Sequence, residues 1–504
     1  MRTTISFFTL LCCLPVFSQN IILDPDFGTD GIATVENTSE INKSILNPDG
    51  TIISAGFTIN TNTGGYYATI TKHRADGTLE TSFGTGGITY TPVGNSDLVL
   101  DLEIQPDGKI LLAGTTYQGQ SSGGQDLFTA FVIRYHSNGL IDYGFASNGI
   151  FRETHYTDSQ YTSIILQSDG SLLLIGNADN LTRLTRLTSG GVRDINYGIN
   201  GVKTISDLTN YFFINSGGIR LNDGYLLCYG MNATTISNSS VTCAKIDSLG
   251  NFVSSFGQNG KASFNLDAGQ NVSEMLSKAR ELPDGTIILA GSASDKIILK
   301  ILADGIPDST FGTNGVLHHT LPFNDMLVLQ NGKILIGGSV IISTNNYGMS
   351  VSRFNSDGTI DPGFNGTGTF EADLSTRSDL LKSMILVDQD HLLATGVGRL
   401  LSFSPNFALA KIDMSHTLHL DENKAGDISV YPNPFSSELS ITSEKQSVTS
   451  IQLIDASGRI VNHFQVNDPN TKLFLDHLAP GIYQAVFLLD QNERISKKLM
   501  KQSN

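Results

Sequence analysis

The sequence contains no tryptophan and only four cysteines in 504 residues. Charged residues are also scarce, at 16%, against 39% hydrophobic residues, a balance that suits a packed chain and not a disordered one. Bases are outnumbered, 32 to 48, and the formal net charge is −16. A nucleic-acid binder needs a basic footprint, so that class is set aside. Apolar runs of the ~20 residues needed to cross a bilayer are missing as well, so no transmembrane segment is expected. Glycine, in contrast, is abundant, with 51 copies, which suits strands joined by tight turns.

The first residues, MRTTISFFTLLCCLPVFSQN, place one arginine before an apolar run and small or branched residues after it. That pattern reads as a signal peptide over 1–18, cleaved near Ser18, and implies a soluble, exported mature chain. Cys12 and Cys13 raise lipidation, against which neither follows Gly or Ala. The other two cysteines, Cys228 and Cys243, fall on neighbouring expected strands. They are either a cross-strand disulfide or two buried small hydrophobes.

One phrase recurs: NPDGTIISAG at 47–56, QPDGKILLAG at 105–114, LPDGTIILAG at 283–292 and QNGKILIGG at 330–338. Its turn is Asp49-Gly50, Asp107-Gly108, Asp169-Gly170, Asp223-Gly224, Asp284-Gly285 and Asn331-Gly332, each followed six residues later by another glycine. A further copy, VDQDHLLATG, ends at Gly396 without the turn glycine. Asp-Gly is hairpin chemistry, and the unbroken apolar run behind it suits a strand buried on both faces. A second phrase alternates with the first and carries Phe27, Phe83, Phe145, Tyr197, Phe256, Phe311 and Phe364, each in an aromatic turn such as DSTFGTNGV. A third recurrence is basic: Lys72, Arg134, Arg186, Lys245, Lys300, Arg353 and Lys411.

One unit then reads aromatic turn, strand A, strand B, Asp-Gly hairpin, strand C, variable loop, and strand D with its base. Four antiparallel strands in each of seven such units predict an all-β, seven-bladed β-propeller over residues 19–414. With strand D outermost, the aromatics mark the passage from one blade to the next and wedge between sheets. The seven bases then cannot converge on the axis as an anion site. They are read as partners of turn carboxylates or carbonyls in their own blades.

The PDGKILLAG and D-x-x-F-G-x-x-G phrases resemble the delta-60 repeat, a β-propeller domain of unknown function in secreted bacterial proteins, over about 24–415. The resemblance implies the fold and no common activity. Past a polar linker at 415–427, residues 428–504 alternate apolar and polar in short runs, which predicts a small β-sandwich. This segment resembles the type A C-terminal sorting domain of type IX secretion substrates in Bacteroidetes. The match is carried by YPNPF with Tyr431, Pro432, Asn433 and Pro434, by DASGRIV with Asp455 and Gly458, by LAPGIY with Gly481 and Tyr483, and by the basic end Lys497, Lys498 and Lys501. It implies two partners, the outer-membrane translocon and a sorting peptidase, and a final place outside the cell or on its surface.

Catalytic signals are thin. GQSSG, Gly119 to Gly123, has the G-x-S-x-G form, but a nucleophile elbow needs a helix after it, and a strand is expected there. His318 and His319 are adjacent on a strand and so point to opposite faces. The turn aspartates raise calcium, yet the EF-hand spacing is absent and Asx turns account for Asp before Gly without a metal. No catalytic, cofactor or metal residue is assigned. The reading is a non-catalytic scaffold that binds a glycan or protein partner. The alternative is a polysaccharide- or peptide-directed hydrolase or lyase with its site at the axis. Turns that repeat serve the fold, so partner contacts are expected on the face carrying the A–B and C–D loops, at Tyr66, Tyr67, Tyr117 and Tyr347.

Overall fold

A computed structural model describes residues 21–36, 38–154, 158–179, 181–205, 212–235, 238–266, 274–343, 346–374, 379–398, 406–415, 428–443, 448–455, 460–466, 470–489 and 494–502. The expected signal peptide, all but Ser415 of the expected linker, and Gly458 lie outside these residues. The described chain is all strand and turn. It divides into two compact units at residues 416 and 417.

The first unit is a β-propeller. Its strands form six four-stranded antiparallel sheets and one of five strands. In the first sheet Glu40–Leu46, Ile52–Ile59, Tyr66–His73 and Ile88–Thr91 pair in that order. The leading strands of successive sheets lie side by side, from Glu40–Leu46 and Ser96–Ile104 round to Leu380–Leu386, which meets Glu40–Leu46 again. They surround an axis. The circle is closed by an early strand, Ile32–Val35, which pairs with Asn406–Asp413 as the outer strand of the last sheet.

The phase of the sheets corrects the sequence reading. The basic strand is third, not outermost: Tyr66–His73 carries Lys72, Phe83 lies in the turn that follows, and Ile88–Thr91 is outermost. A tight turn can only join antiparallel neighbours of one sheet, so the aromatic turn stays inside its blade. The passage between blades comes after the outer strand. In the second blade it is held by Asp97, whose carboxylate accepts the N–H groups of Val93 at 2.8 Å and Gly94 at 2.9 Å.

The aromatics do wedge between sheets. All seven are buried. The ring of Phe83 lies under the turn glycine of the next blade, where a Cβ on Gly139 would come within 2.7 Å of it. Phe145 beneath Gly191 and Phe311 beneath Gly358 repeat the contact. The residue after the ring ties the same two blades: Gly84 N donates to Asn138 O at 2.7 Å and Gly312 N to Asp357 O at 2.9 Å.

The glycine six residues past each hairpin has a different cause. Six of the seven leading strands bulge opposite it, as between Val99 and Asp101 facing Gly114. The bulge presses a carbonyl onto the facing strand: a Cβ on Gly114 would lie 2.0 Å from Leu98 O, and one on Gly56 1.8 Å from Glu40 O. Only glycine fits there.

Cys228 and Cys243 are free and buried. Cys243 pairs directly with Tyr229, so Cys228, one residue away, faces the other side of the sheet, and a disulfide between them is sterically out of reach. The second unit has a three-stranded sheet, Ile428–Tyr431, Glu438–Ser443 and Asn470–Phe474, and a four-stranded one, Ile460–Gln465, Val448–Asp455, Gly481–Leu489 and Arg494–Lys501. Phe435, Leu439, Ile451, Phe487 and Leu499 share one core between them.

Two consequences for stability can be measured. Phe311 is fully buried at a blade contact, and Phe311→Ala should cost ~3–5 kcal/mol in urea unfolding. His73 and His319 are buried with neither ring nitrogen hydrogen-bonded, and burial lowers each pKa from 6.5 to about 4. The unfolded chain therefore takes up these protons first. Their contribution is complete above pH 6.5 and falls as pH drops toward 4, by up to ~1.4 kcal/mol per pH unit for each histidine. His73→Leu should make the measured stability–pH slope over that window shallower.

Candidate functional site

The bulges do more than exclude a side chain. They turn the next residue of six leading strands toward the axis, Lys43, Asp101, Ser163, Gly217, Lys278 and Ser383, and Asp325, which opens the unbulged strand of the sixth blade, stands at the same level. All but Ser383 stand six residues before the hairpin Asp or Asn, a constant spacing that the sequence offers but whose changing residue types conceal. Where Gly217 has no side chain, the Tyr229 hydroxyl fills the space, 2.3 Å from where a Cβ would be. The chamber lined by the other six and Tyr229 has a volume of about 520 Å³.

Neighbouring blades exchange bonds across this level. Asp101 Oδ2 accepts Ile164 N at 2.7 Å, Ser163 Oγ accepts Gly218 N at 2.9 Å, and Asp325 Oδ2 accepts Met384 N at 2.7 Å. Charges are paired as well. Lys43 Nζ lies 2.5 Å from Asp101 and 3.5 Å from Glu103, while Asp325 lies 3.1 Å from Lys278 and 3.9 Å from Arg280. Burial opposes charge on Asp325, but Lys278 and Arg280 outweigh it and hold the carboxyl below its usual range. On Lys43 burial is likewise outweighed, by Asp101 and Glu103, and its pKa rises. Glu103 is raised, chiefly by burial. Burial also pushes Tyr229 up to about 12, in the combined field of Arg280, Asp101, Lys43 and Asp325.

The seven bases of the third strands lie away from this chamber. Arg134 pairs with Asp142 at 2.8 Å, Lys245 with Asp223 at 2.6 Å, Lys300 with Asp308 at 3.0 Å, Arg353 with Asp361 at 2.6 Å and Lys411 with Asp24 at 2.7 Å. Arg186 reaches two turn carboxylates, Asp169 and Asp194, and Lys72 acts on Asp49 through charge alone. Arg134 and Arg353 also lie over the rings of Phe145 and Phe364, 4.5 and 4.7 Å from their centres. Arg134, Arg186, Lys300, Arg353 and Lys411 thus engage the carboxylate of an aromatic turn, while Lys72 and Lys245 act on the hairpin carboxylate instead; Arg134 also donates to Ser189 O of the next blade, beyond the within-blade partners expected.

Tyr66, Tyr67, Tyr117 and Tyr347 all sit at the C–D ends of their hairpins, on three different sheets. Tyr66 and Tyr347 are exposed and the other two half-buried. The Tyr67 hydroxyl accepts a hydrogen bond from Asn60, and that of Tyr117 donates to Asp126 at 3.3 Å. The variable loop of the second blade is mostly paired strand, with register running out to Gln120 and Asp126. Ser121 of the G-x-S-x-G match therefore lies in a strand-to-strand turn, without the helix an elbow requires. His318 is exposed and 2.9 Å from Asp295, while His319 is buried. The hairpin aspartates accept from the chain two residues on, as Asp49 does from Thr51 N at 2.9 Å. Among the described residues no group of three His, Cys, Asp or Glu is placed to hold a metal ion.

In the second unit the YPNPF turn is fastened to the last strand. Asn433 Oδ1 accepts Met500 N at 2.9 Å, Phe435 N donates to Met500 O, and Gln502 N donates to Phe435 O. Lys501 reaches the Ser436 carbonyl and lies 5.5 Å from the centre of the buried Phe435 ring. Tyr431 is exposed. Tyr483 is buried and closes the LAPGIY turn by donating to Ala479 O at 2.7 Å, and the backbone of Asp455 pairs with it. Gly481 begins that strand at the surface.

Residues 429–502 match the family model described as the secretion system C-terminal sorting domain. Residues 105–145, 282–311 and 329–364 match that of the domain of unknown function (DUF5122) beta-propeller. Similar solved structures include a protein of unknown function from Dyadobacter fermentans, 13% identical, covering 80% of this chain and 100% of its own, with a TM-score of 0.43. Drosophila Semaphorin 2a is 9% identical over 97% of this chain and 99% of its own, TM-score 0.45. The β-propeller domain of the Trilobed protease from Pyrococcus furiosus is 10% identical over 76% and 98%, TM-score 0.38. No curated protein matches the chain.

The intra-blade ion pairs can be tested by removing one partner. Arg134→Met removes the nearest charged partner of Asp142, which keeps Gly144 N and a more distant Lys109, and should cost about 1–3 kcal/mol in urea unfolding. Arg134→Met combined with Asp142→Asn should recover part of that loss.

Proposed function

We propose that this chain, a β-propeller carrying a type IX sorting domain, is displayed on or released from the cell surface as a non-catalytic recognition scaffold. The sorting domain carries the export half of this reading. Its matched turns lie on a body with its own two-sheet core, which suits a module read separately from its cargo. In this reading the translocon and sorting peptidase are its partners, and passage begins with the amino-terminal signal.

The recognition half rests on how the axial carboxylates are engaged. A hydrolase or lyase needs an acid and a base free to exchange protons with substrate. Asp101 and Asp325 instead each give one oxygen to the backbone of the next blade and the other to a lysine. That arrangement favours a structural role for them and leaves contact with a glycan or protein partner to the face bearing Tyr66, Tyr67, Tyr117 and Tyr347.

Deleting 428–504 should leave a folded propeller in the periplasm, and fusing that segment behind a signal peptide should carry an unrelated reporter to the surface or medium of a type IX-competent host. Cell fractionation reads both. A truncated chain still found outside the cell would refute the sorting role. Alanine at the four tyrosines should abolish binding on glycan or protein arrays without altering the unfolding curve.

A further inference from the structure

The axial chamber carries more basic than acidic side chains. Asp101 is satisfied from within the fold by Ile164 N and Lys43, and Asp325 Oδ2 by Met384 N. Lys278 lies 3.1 Å from Asp325 Oδ1, an ion pair made without a hydrogen bond. Arg280, two residues along and on the same side of the strand, donates Nη1 to Ala279 O at 2.8 Å, with another nitrogen 3.9 Å from Asp325. The lining includes Lys43, Arg220, Lys278 and Arg280 against Asp101, Glu103 and Asp325, an excess of one positive charge in a chain of net charge −16. A concave wall with low-dielectric backing focuses such an excess onto whatever enters.

The remaining wall is rich in hydroxyls. Ser163, Ser383 and Tyr229 reach the same level, and Ser163 accepts Gly218 N while its own O–H stays available to donate. A volume of about 520 Å³ is far larger than a lone inorganic anion and lies in the range of small-molecule sites, roughly 300–1,000 Å³. We propose that the chamber binds a small acidic sugar, its carboxylate on Lys278 and Arg280 and its hydroxyls on the serines and Tyr229. Charge-assisted bonds to the carboxylate supply most of the selectivity. This site is independent of the partner proposed for the loop face.

The probe is glucuronate, with glucose and sulfate as controls, titrated calorimetrically into the full chain without its signal peptide. Glucuronate should bind about tenfold or more tighter than glucose, and added sodium chloride should weaken it. Arg280→Gln should lose about tenfold or more in glucuronate affinity at an unchanged melting temperature, and Arg280→Lys should recover part of it. Should Arg280→Gln fail to fold, the glucuronate–glucose comparison on the unaltered chain decides. No binding, equal binding of the two sugars, or unaltered affinity in a folded Arg280→Gln chain would overturn the proposal. Sulfate competing as strongly as glucuronate would reduce the chamber to a general anion site and overturn it equally.

Discussion

The bulge carried by six of the seven leading strands is the constraint from which the propeller follows. It presses a carbonyl into the facing strand, so that strand must carry glycine at Gly56, Gly114, Gly176, Gly291 and Gly396. It also breaks the ladder and frees an N–H that no strand of its own blade can accept. Asp101, Ser163 and Asp325 take that N–H from the neighbouring blade, so the defect in one sheet becomes the bond to the next. An unpaired buried N–H costs ~1–3 kcal/mol, enough to make blades that stand alone unfavourable. At the other end of each blade the aromatic beneath a neighbour's turn glycine does the same work with apolar surface. A blade is thus fastened to its neighbours near the axis by polar bonds and farther out by rings.

Much of this was legible in the chain because turns are local. Asp-Gly pairs mark hairpins through their own conformational needs, and Gly108 adopts the left-handed backbone, φ 80°, that such a turn requires. The bases on the third strands were legible for a similar reason, since Arg134 and Asp142 lie only eight residues apart. The phase of the blades was not. A repeat has no natural beginning, and nothing in DSTFGTNGV says whether the following strand opens a sheet or completes one. Only the pairing of Ile32–Val35 with Asn406–Asp413 sets the frame, and that contact is between opposite ends of the unit.

The axial residues stayed hidden for the opposite reason. They keep a fixed distance from the hairpin but change identity from blade to blade: Lys43, Asp101, Ser163, then Lys278, Asp325, Ser383. Repetition of identity reveals scaffold, whereas variation at a fixed position reveals a surface the scaffold leaves free to specialise. The same three residue types return in the same order on either side of Gly217, so the axis carries two similar arcs with Tyr229 between them.

Closure by an early strand has a consequence for the order in which the propeller can be completed. Thr38 Oγ1 accepts the N–H of Phe407, a bond that spans 369 residues. Bringing those ends together costs chain entropy that no local contact repays until the last sheet has formed. An open stack of sheets therefore precedes the closed circle, and its first edge stays unpaired until Asn406–Asp413 arrives. Trimming at the amino end is felt before the latch itself is reached, since Ile22–Leu23 also pairs with Asn406–Asp413 and Phe27 is buried; a cut beyond Ile32 removes the latch as well and leaves a seven-sheet stack with two raw edges.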